Sequence, residues 1–134
     1  IADVDFDYIE NIKLQSVRLI MQDHVEETGK TVDFSFIKNF RIYIKYKELF
    51  KEDEDISVRY NDALLVLSYD QDTEKLSCDG KCLDLKIEKS NWRDILENNH
   101  SFVVLVRIEL ESIPTAKFSY EGQIDVSVGV KIGL

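Results

Sequence analysis

The sequence predicts a mainly β protein, an antiparallel β-sandwich or open barrel of about seven to eight strands with one short α-helix near residues 90–98. Apolar and polar residues alternate over long stretches, as they do in strands with one buried face. Short polar segments of hairpin length separate these stretches. Alternation, rather than continuous apolar runs, favours antiparallel pairing.

In the first predicted strand, the apolar residues change from even-numbered to odd-numbered positions part of the way along. Ile12 and Leu14 occupy even positions, whereas Val17, Leu19 and Met21 occupy odd ones. A β-bulge around Gln15-Ser16 produces such a change, because one extra residue turns every following side chain to the other face. A short helix also fits the spacing, but the β-branched and apolar content that follows favours a strand.

The second alternating run is too long for a single strand. At about 3.3 Å per residue it would span roughly 50 Å, so we expect a bend or bulge at Lys38-Asn39. A shorter strand is predicted through Ile56, Val58 and Tyr60, and a central one through Leu64–Leu67. The apolar positions of the long run are Val32, Phe34, Phe36, Phe40, Ile42, Ile44 and Tyr46.

One segment has the features of a helix. Ser90 can cap it, and Trp92, Ile95 and Leu96 form an apolar stripe that can pack on a sheet. Two further alternating strands follow, and we expect their apolar sides to meet the others in one shared interior. These sides comprise Phe102, Val104, Val106, Ile108 and Leu110, then Ile124, Val126, Val128, Val130 and Ile132.

Length and charge limit the classes of function. A chain of 134 residues predicts a single domain, residues 1–134, and its start at Ile1 rather than Met is consistent with excision from a longer protein. The formal net charge of −9 argues against direct binding of nucleic acid or of an anionic membrane. Two cysteines and no apolar run of membrane-spanning length make the cytoplasm the expected location.

Several motifs resemble sites of chemistry, and each lacks a required part. Cys78 and Cys82 supply at most half of a zinc site, because His24 and His100 are isolated in the sequence. Asp70–Thr73 resembles the nucleophile loop of haloacid-dehalogenase-like phosphatases but departs from that pattern at Glu74. Residues 3–7 lack the glycine and final glutamate of a calcium loop, and residues 52–55 form an acidic run. We therefore expect no catalytic residue, no metal and no cofactor.

An apolar set on the otherwise polar strand faces is the candidate interface. It comprises Ile37, Tyr43, Val103 and Leu105, and one short helix covers few such residues. Left uncovered, they would form a patch of the kind that marks protein contacts. The alternative is that both strand faces are buried within a sandwich or beneath loops.

The segment from Phe102 to Val130, two alternating strands around a polar turn, is similar to the strand core of SecB-like export chaperones. That family is acidic and cytoplasmic, and its members oligomerise and hold unfolded chains. The resemblance covers under a quarter of the chain and carries no residue role to it.

The sequence therefore favours a non-catalytic β-domain that works through protein–protein contact, as an adaptor or accessory module. Its expected partner is another protein or a second copy of itself. The alternative is a chaperone-like or ligand-holding β-domain that binds apolar polypeptide segments or small molecules in a groove. An enzyme with a site assembled from scattered residues is a third reading.

Overall fold

The computed structural model describes residues 9–22, 32–97, 101–114 and 119–130. Six strands form one antiparallel sheet in the order β5-β2-β3-β4-β1-β6. The mainly β, antiparallel prediction is confirmed, whereas the described residues form six strands in one open sheet and show no sandwich. The strands are β1 (Ile9–Met21), β2 (Ile37–Tyr46), β3 (Leu64–Asp70), β4 (Cys82–Ile87), β5 (Phe102–Leu110) and β6 (Tyr120–Val130).

The bulge predicted in β1 is present. The register of β1 against β6 shifts between Leu14 and Ser16, so that Leu14 lies opposite Val126 while Val17 lies opposite Ile124. The extra residue lets apolar side chains on both sides of Gln15 point to the same face of the sheet. The helical alternative for this segment is excluded.

The long second run is divided as expected, although its first part is not a strand. Residues Phe34–Phe36 form a 3-10 turn, which begins where the Asp33 carboxylate accepts a hydrogen bond from the Ser35 N–H at 2.9 Å. Such a side-chain bond to a nearby backbone amide competes with extended structure. A register shift between Ile37 and Asn39 confirms the predicted irregularity.

The strand predicted through Ile56 is wrong. Ile56–Arg59 form a single helical turn, α1, because the Asp55 carbonyl accepts hydrogen bonds from the amides of Val58 and Arg59. The buried Lys45 side chain holds this segment against β2, since its Nζ donates to the Arg59 carbonyl at 2.9 Å. The face of β2 that carries Lys45 therefore lies beneath a loop and a helical turn rather than beneath another strand.

The predicted helix is present but begins later than expected. It runs over Arg93–Glu97 as α2, and the side-chain oxygen of Asn91, not that of Ser90, accepts a hydrogen bond from the Arg93 N–H at 3.1 Å. Backbone bonds from Leu14 to the Ser90 carbonyl and from Trp92 to the Ile12 carbonyl fix the segment beside β1. The helix therefore lies against the sheet, as its apolar stripe predicts.

The core lies on one face of the sheet, and the expected shared interior does not extend to both edges. Phe34 is buried and Ile42 is partly buried, but Val106 and Val128 are about half exposed. The prediction that all the alternating rows are interior is therefore wrong for the edge strands. Within the described residues no second layer lies over these rows, and alternation shows only which side chains share a face.

Candidate binding surface

The described structure has an apolar cavity of about 570 Å³. Both edge strands contribute to it, Val104 from β5 and Val126 from β6, so the sheet curves around a common hollow. All the lining residues are apolar: Ile9, Ile12, Leu14, Val17, Ile42, Ile44, Val66, Leu67, Trp92, Leu96, Phe102, Val104, Ile124, Val126 and Val128.

The floor and the rim of this cavity differ in burial. Val66 in the centre of the sheet is 1% exposed, whereas Val104 is 57% exposed and Ile124 is 63% exposed. Two exposed aliphatic rows therefore flank the cavity and are called the rim rows. They are Val104, Val106, Ile108 and Leu110 on β5, and Ile124, Val126, Val128 and Val130 on β6.

Helix α2 and the residue before it form one wall. The Trp92 ring meets the Phe102 ring edge-on, with the ring centroids 6.4 Å apart, and its Nε1 donates to the Lys89 carbonyl at 2.8 Å. The indole N–H is thus satisfied by the backbone while the ring faces the cavity. Within the helix, Ile95 is buried and Leu96 lines the cavity.

The four residues that the sequence singles out lie elsewhere. Tyr43 and Leu105 are cross-strand partners, and Val103 is opposite Lys45 on the same face. All three are partly buried, and the Tyr43 ring lies 4.9 Å from the Tyr60 ring of the segment after α1. Ile37 is separate from them and only 4% exposed, in the core. Their role as contact residues stays a prediction.

The opposite face of the sheet has a polar cluster. Arg18 Nε lies 2.6 Å from Asp84 Oδ1, and Ser77 Oγ donates to Asp84 Oδ2 at 3.1 Å. The hydrogen bond from Arg18 lowers the pKa of Asp84, with a smaller contribution from Ser77. A carboxylate that is held ionised by an arginine does not act as a proton donor or acceptor near neutral pH. This cluster joins β1 to β4 and indicates no chemistry.

Cys78 and Cys82 form a disulfide across a tight turn. Asp79 and Gly80 both have positive φ there, and a Cβ at Gly80 would lie 2.7 Å from an Asp33 carboxylate oxygen. Glycine is therefore required at that position, and the bridge is structural in the described chain. The thiol ligands of a zinc half-site are not available while the bridge exists.

The other sequence motifs are polar surface features or lie outside the description. Residues 71–73 form a turn after β3, and Asp70 Oδ2 lies 3.5 Å from Arg41 Nη2. Within the described ranges no group of three or more His, Cys, Asp and Glu side chains could hold a metal. His24, His100 and the acidic residues 3–7 lie outside the described residues.

Sequence reasoning grouped the rim rows correctly by face but placed them in the interior. Exposure depends on whether another layer covers a face, and periodicity carries no information about that layer. The positions of β5 and β6 at the two ends of the sheet leave their rows at the rim.

In comparisons with protein-family models, curated proteins and solved structures, nothing matches this chain. Among the helices of the described residues, none has the length and apolar character needed to cross a membrane.

Proposed function

We propose that this chain is a non-catalytic β-domain that binds an apolar segment of another protein in the cavity and along its rim rows. The observation that carries the proposal is the wholly apolar lining of the cavity, continued outward by exposed aliphatic side chains on both edge strands.

The extent of the rim rows supports a protein partner. Their eight aliphatic side chains, each roughly half exposed, present on the order of 800 Å² of surface, close to what one partner contributes to a standard protein interface. Exposed apolar patches on monomeric proteins are usually smaller than about 600 Å². The two rows belong to opposite edge strands and are connected through the apolar cavity that both strands line, so together they favour a surface that another molecule covers.

The chemistry of the lining favours binding over catalysis. Catalysis requires a positioned acid, base, nucleophile or electrostatic group beside the substrate, and no such side chain lines the cavity. A small polar ligand would also lack hydrogen-bonding groups to orient it. An apolar polypeptide segment that satisfies its own backbone hydrogen bonds, as an amphipathic helix does, requires no polar side chain here, because its binding depends mainly on buried apolar area.

A second function remains supported by one observation. The volume of about 570 Å³ lies in the usual range of roughly 300–1,000 Å³ for small-molecule pockets. A chaperone-like or ligand-holding domain that accepts many apolar chains or molecules is therefore the alternative. The two differ in selectivity, since an adaptor forms one complex of fixed composition.

A cytoplasmic location remains part of the proposal, although one observation opposes it. The Cys78–Cys82 disulfide is of a kind that persists mainly in oxidising compartments and is rare in cytosolic proteins. Determining the oxidation state of the two cysteines in the source cells would settle which compartment the chain occupies.

The function is tested with two matched variants on β6. Val126→Lys places a charge on a rim row, whereas Gln123→Lys places the same charge on an exposed residue of the opposite face. Proteins captured by the wild-type chain and by both variants are identified, and the principal one is purified and titrated against each.

We expect wild type and Gln123→Lys to bind one purified protein with equal affinity and Val126→Lys to bind it at least tenfold more weakly, since desolvating a lysine costs more than about 1.4 kcal/mol. Equal affinity of all three would contradict the proposal. Capture of many unrelated unfolded chains, all lost with Val126→Lys, would favour the alternative.

A further inference from the structure

Strand β5 forms one edge of the described sheet and has few of the features that protect an edge. It pairs with β2 alone among the described strands and contains no glycine, proline or lysine over Phe102–Leu110. Edge strands are usually shielded by proline, by lysine or by strong bulges, because their free amides and carbonyls invite pairing with another chain. This edge is therefore a candidate for strand addition.

The backbone groups that face outward can be assigned from the register. The Lys47 N–H donates to the Ser101 carbonyl at 2.9 Å, and the same antiparallel register continues from Tyr46 opposite Phe102 to Asn39 opposite Glu109. Hydrogen-bonded and non-hydrogen-bonded pairs alternate along such a ladder. The backbone amides and carbonyls of the odd-numbered residues of β5 thus point toward β2. Those of the even-numbered residues point outward, namely those of Val104, Val106, Ile108 and Leu110.

The side chains beside Ile108 are complementary to themselves under a two-fold axis. In an antiparallel pairing of two copies of β5 centred on Ile108, Arg107 of each copy lies opposite Glu109 of the other. Val106 lies opposite Leu110. Even-numbered residues therefore lie opposite even-numbered residues, so that their outward amides and carbonyls can form the hydrogen bonds between the two strands. We propose that two copies of this chain associate through β5 in this register, so that their sheets become continuous.

The charges on β5 favour this register over those centred on the two neighbouring charged residues. Arg107 makes no ion pair among the described residues. It lies opposite Arg41 of β2, and the Arg107 guanidinium is 5.8 Å from the centroid of the Tyr60 ring. Glu109 is half exposed and already contacts Lys38 and Asn39. Centring the axis on Arg107 or on Glu109 would instead place like charges directly opposite, which is destabilising.

The other edge strand lacks this self-complementarity. The charged residues of β6 within Tyr120–Val130 are Glu121 and Asp125, both acidic. Any two-fold pairing within that range therefore brings carboxylates together or leaves them without a basic partner. A second copy is thus expected at β5 rather than at β6.

One contact lies on the outer edge of β5. The Tyr60 hydroxyl is 3.5 Å from the Val106 carbonyl oxygen, at the long limit of a hydrogen bond. The amide of Leu110 from a second copy would compete for this carbonyl. The proposed contact pairs the edge at Val106, Ile108 and Leu110, which belong to the β5 rim row but do not line the cavity. It therefore goes beyond the proposed function and does not depend on it.

Charge reversal tests the register. The mass in solution is measured by sedimentation over a range of concentrations for wild type, Arg107→Glu, Glu109→Arg and the double variant that exchanges both charges. We expect wild type to reach twice the 15.6 kDa of one chain. Each single reversal should weaken association on the order of tenfold, because it turns two attractive pairs into repulsive ones, and the double variant should restore it.

Two proline variants test which edge pairs. Ile108→Pro removes an outward amide at the proposed two-fold axis, which an edge strand can tolerate, and Ile124→Pro is the matched change on β6. We expect dimers with Ile124→Pro and monomers with Ile108→Pro, with thermal unfolding confirming that each variant is folded. If a proline variant does not fold, the charge reversals decide alone.

A wild-type chain that stays monomeric at all concentrations would overturn the proposal. So would single reversals that leave association unchanged, or a double variant that fails to restore it. Val126→Lys should leave the dimer intact, so loss of partner binding and loss of the dimer are distinguishable.

Discussion

At the residue scale, the burial of chemically identical side chains separates the core from the rim. Leu83 in β4 is 0% exposed, packed within the core cluster, whereas Leu110 at the end of β5 is 46% exposed. Both are leucines in strands. The difference in their stabilising effect should therefore reflect burial and little else.

We expect Leu83→Ala to lower the free energy of unfolding by about 2–5 kcal/mol, because it leaves a cavity in packed surroundings. The same change at Leu110 should cost about 1 kcal/mol or less, since the side chain is already half in water. Urea unfolding of both variants, at concentrations where the chain is monomeric, measures the two values. Equal losses would mean that the rim row of β5 is buried in the monomer.

The Arg18–Asp84 pair gives a pH dependence of known sign. The pKa of Asp84 is lowered in the folded chain, mainly by the hydrogen bond from Arg18, from the value near 4 of an unfolded aspartate. Such a group stabilises the fold above about pH 4, and that contribution is lost as the pH falls through the folded pKa. The pair is partly exposed, so solvent screens it and its contribution to stability is small.

Asp84→Asn should therefore destabilise the chain slightly at pH 7 and progressively less below pH 4. The measurement is the free energy of unfolding of wild type and variant across this range. A difference that does not shrink with acidification would show that the carboxylate contributes through packing rather than through its charge.

At the element scale, the bulge in β1 determines which side chains reach the cavity. Leu14 and Val17 have opposite parity in the sequence, yet both line the cavity because Gln15 is the extra residue between them. The Gln15 side chain also donates to Ser127 Oγ at 2.7 Å on β6. The residue thus has a backbone role and a side-chain role that mutation can separate.

Deleting Gln15 should cost about 3 kcal/mol or more, because it turns Ile12 and Leu14 away from the apolar face or forces β1 to slip against β6. Gln15→Ala keeps the extra residue and loses only the side-chain bond, so it should cost about 1 kcal/mol. Thermal unfolding compares the two. Equal effects would contradict the assigned role of the bulge.

Local pattern predicted this bulge, the irregularity near Lys38 and the α2 stripe, because each depends on neighbours in sequence. It failed at Ile56, where the alternation of Ile56, Val58 and Tyr60 continues through a helical turn. Five residues show alternation too briefly to distinguish a strand from a turn that a contact with Lys45 holds in place. The disulfide was also not predicted, because the spacing of the two cysteines does not show that the turn brings their sulfur atoms together.

At the scale of the whole molecule, the apolar surface and the acidic charge lie apart. The net charge is −9, yet the cavity lining contains no charged residue. The charge disfavours non-specific association in general, while an uncharged hollow remains open to a complementary apolar segment. The sequence indicates how strands group their side chains, but the exposure of the rim rows follows from strand order, which depends on contacts distant in sequence.

The most direct test of the account is a titration of the isolated chain with a fluorescent dye that binds exposed apolar surface. Wild type and Gln123→Lys should bind the dye with equal intensity, and Val126→Lys should bind it much more weakly, with all three unfolding at similar temperatures. Absence of dye binding by the folded wild type, or equal binding by all three chains, would contradict the claim that the cavity and its rim rows form an accessible apolar binding surface.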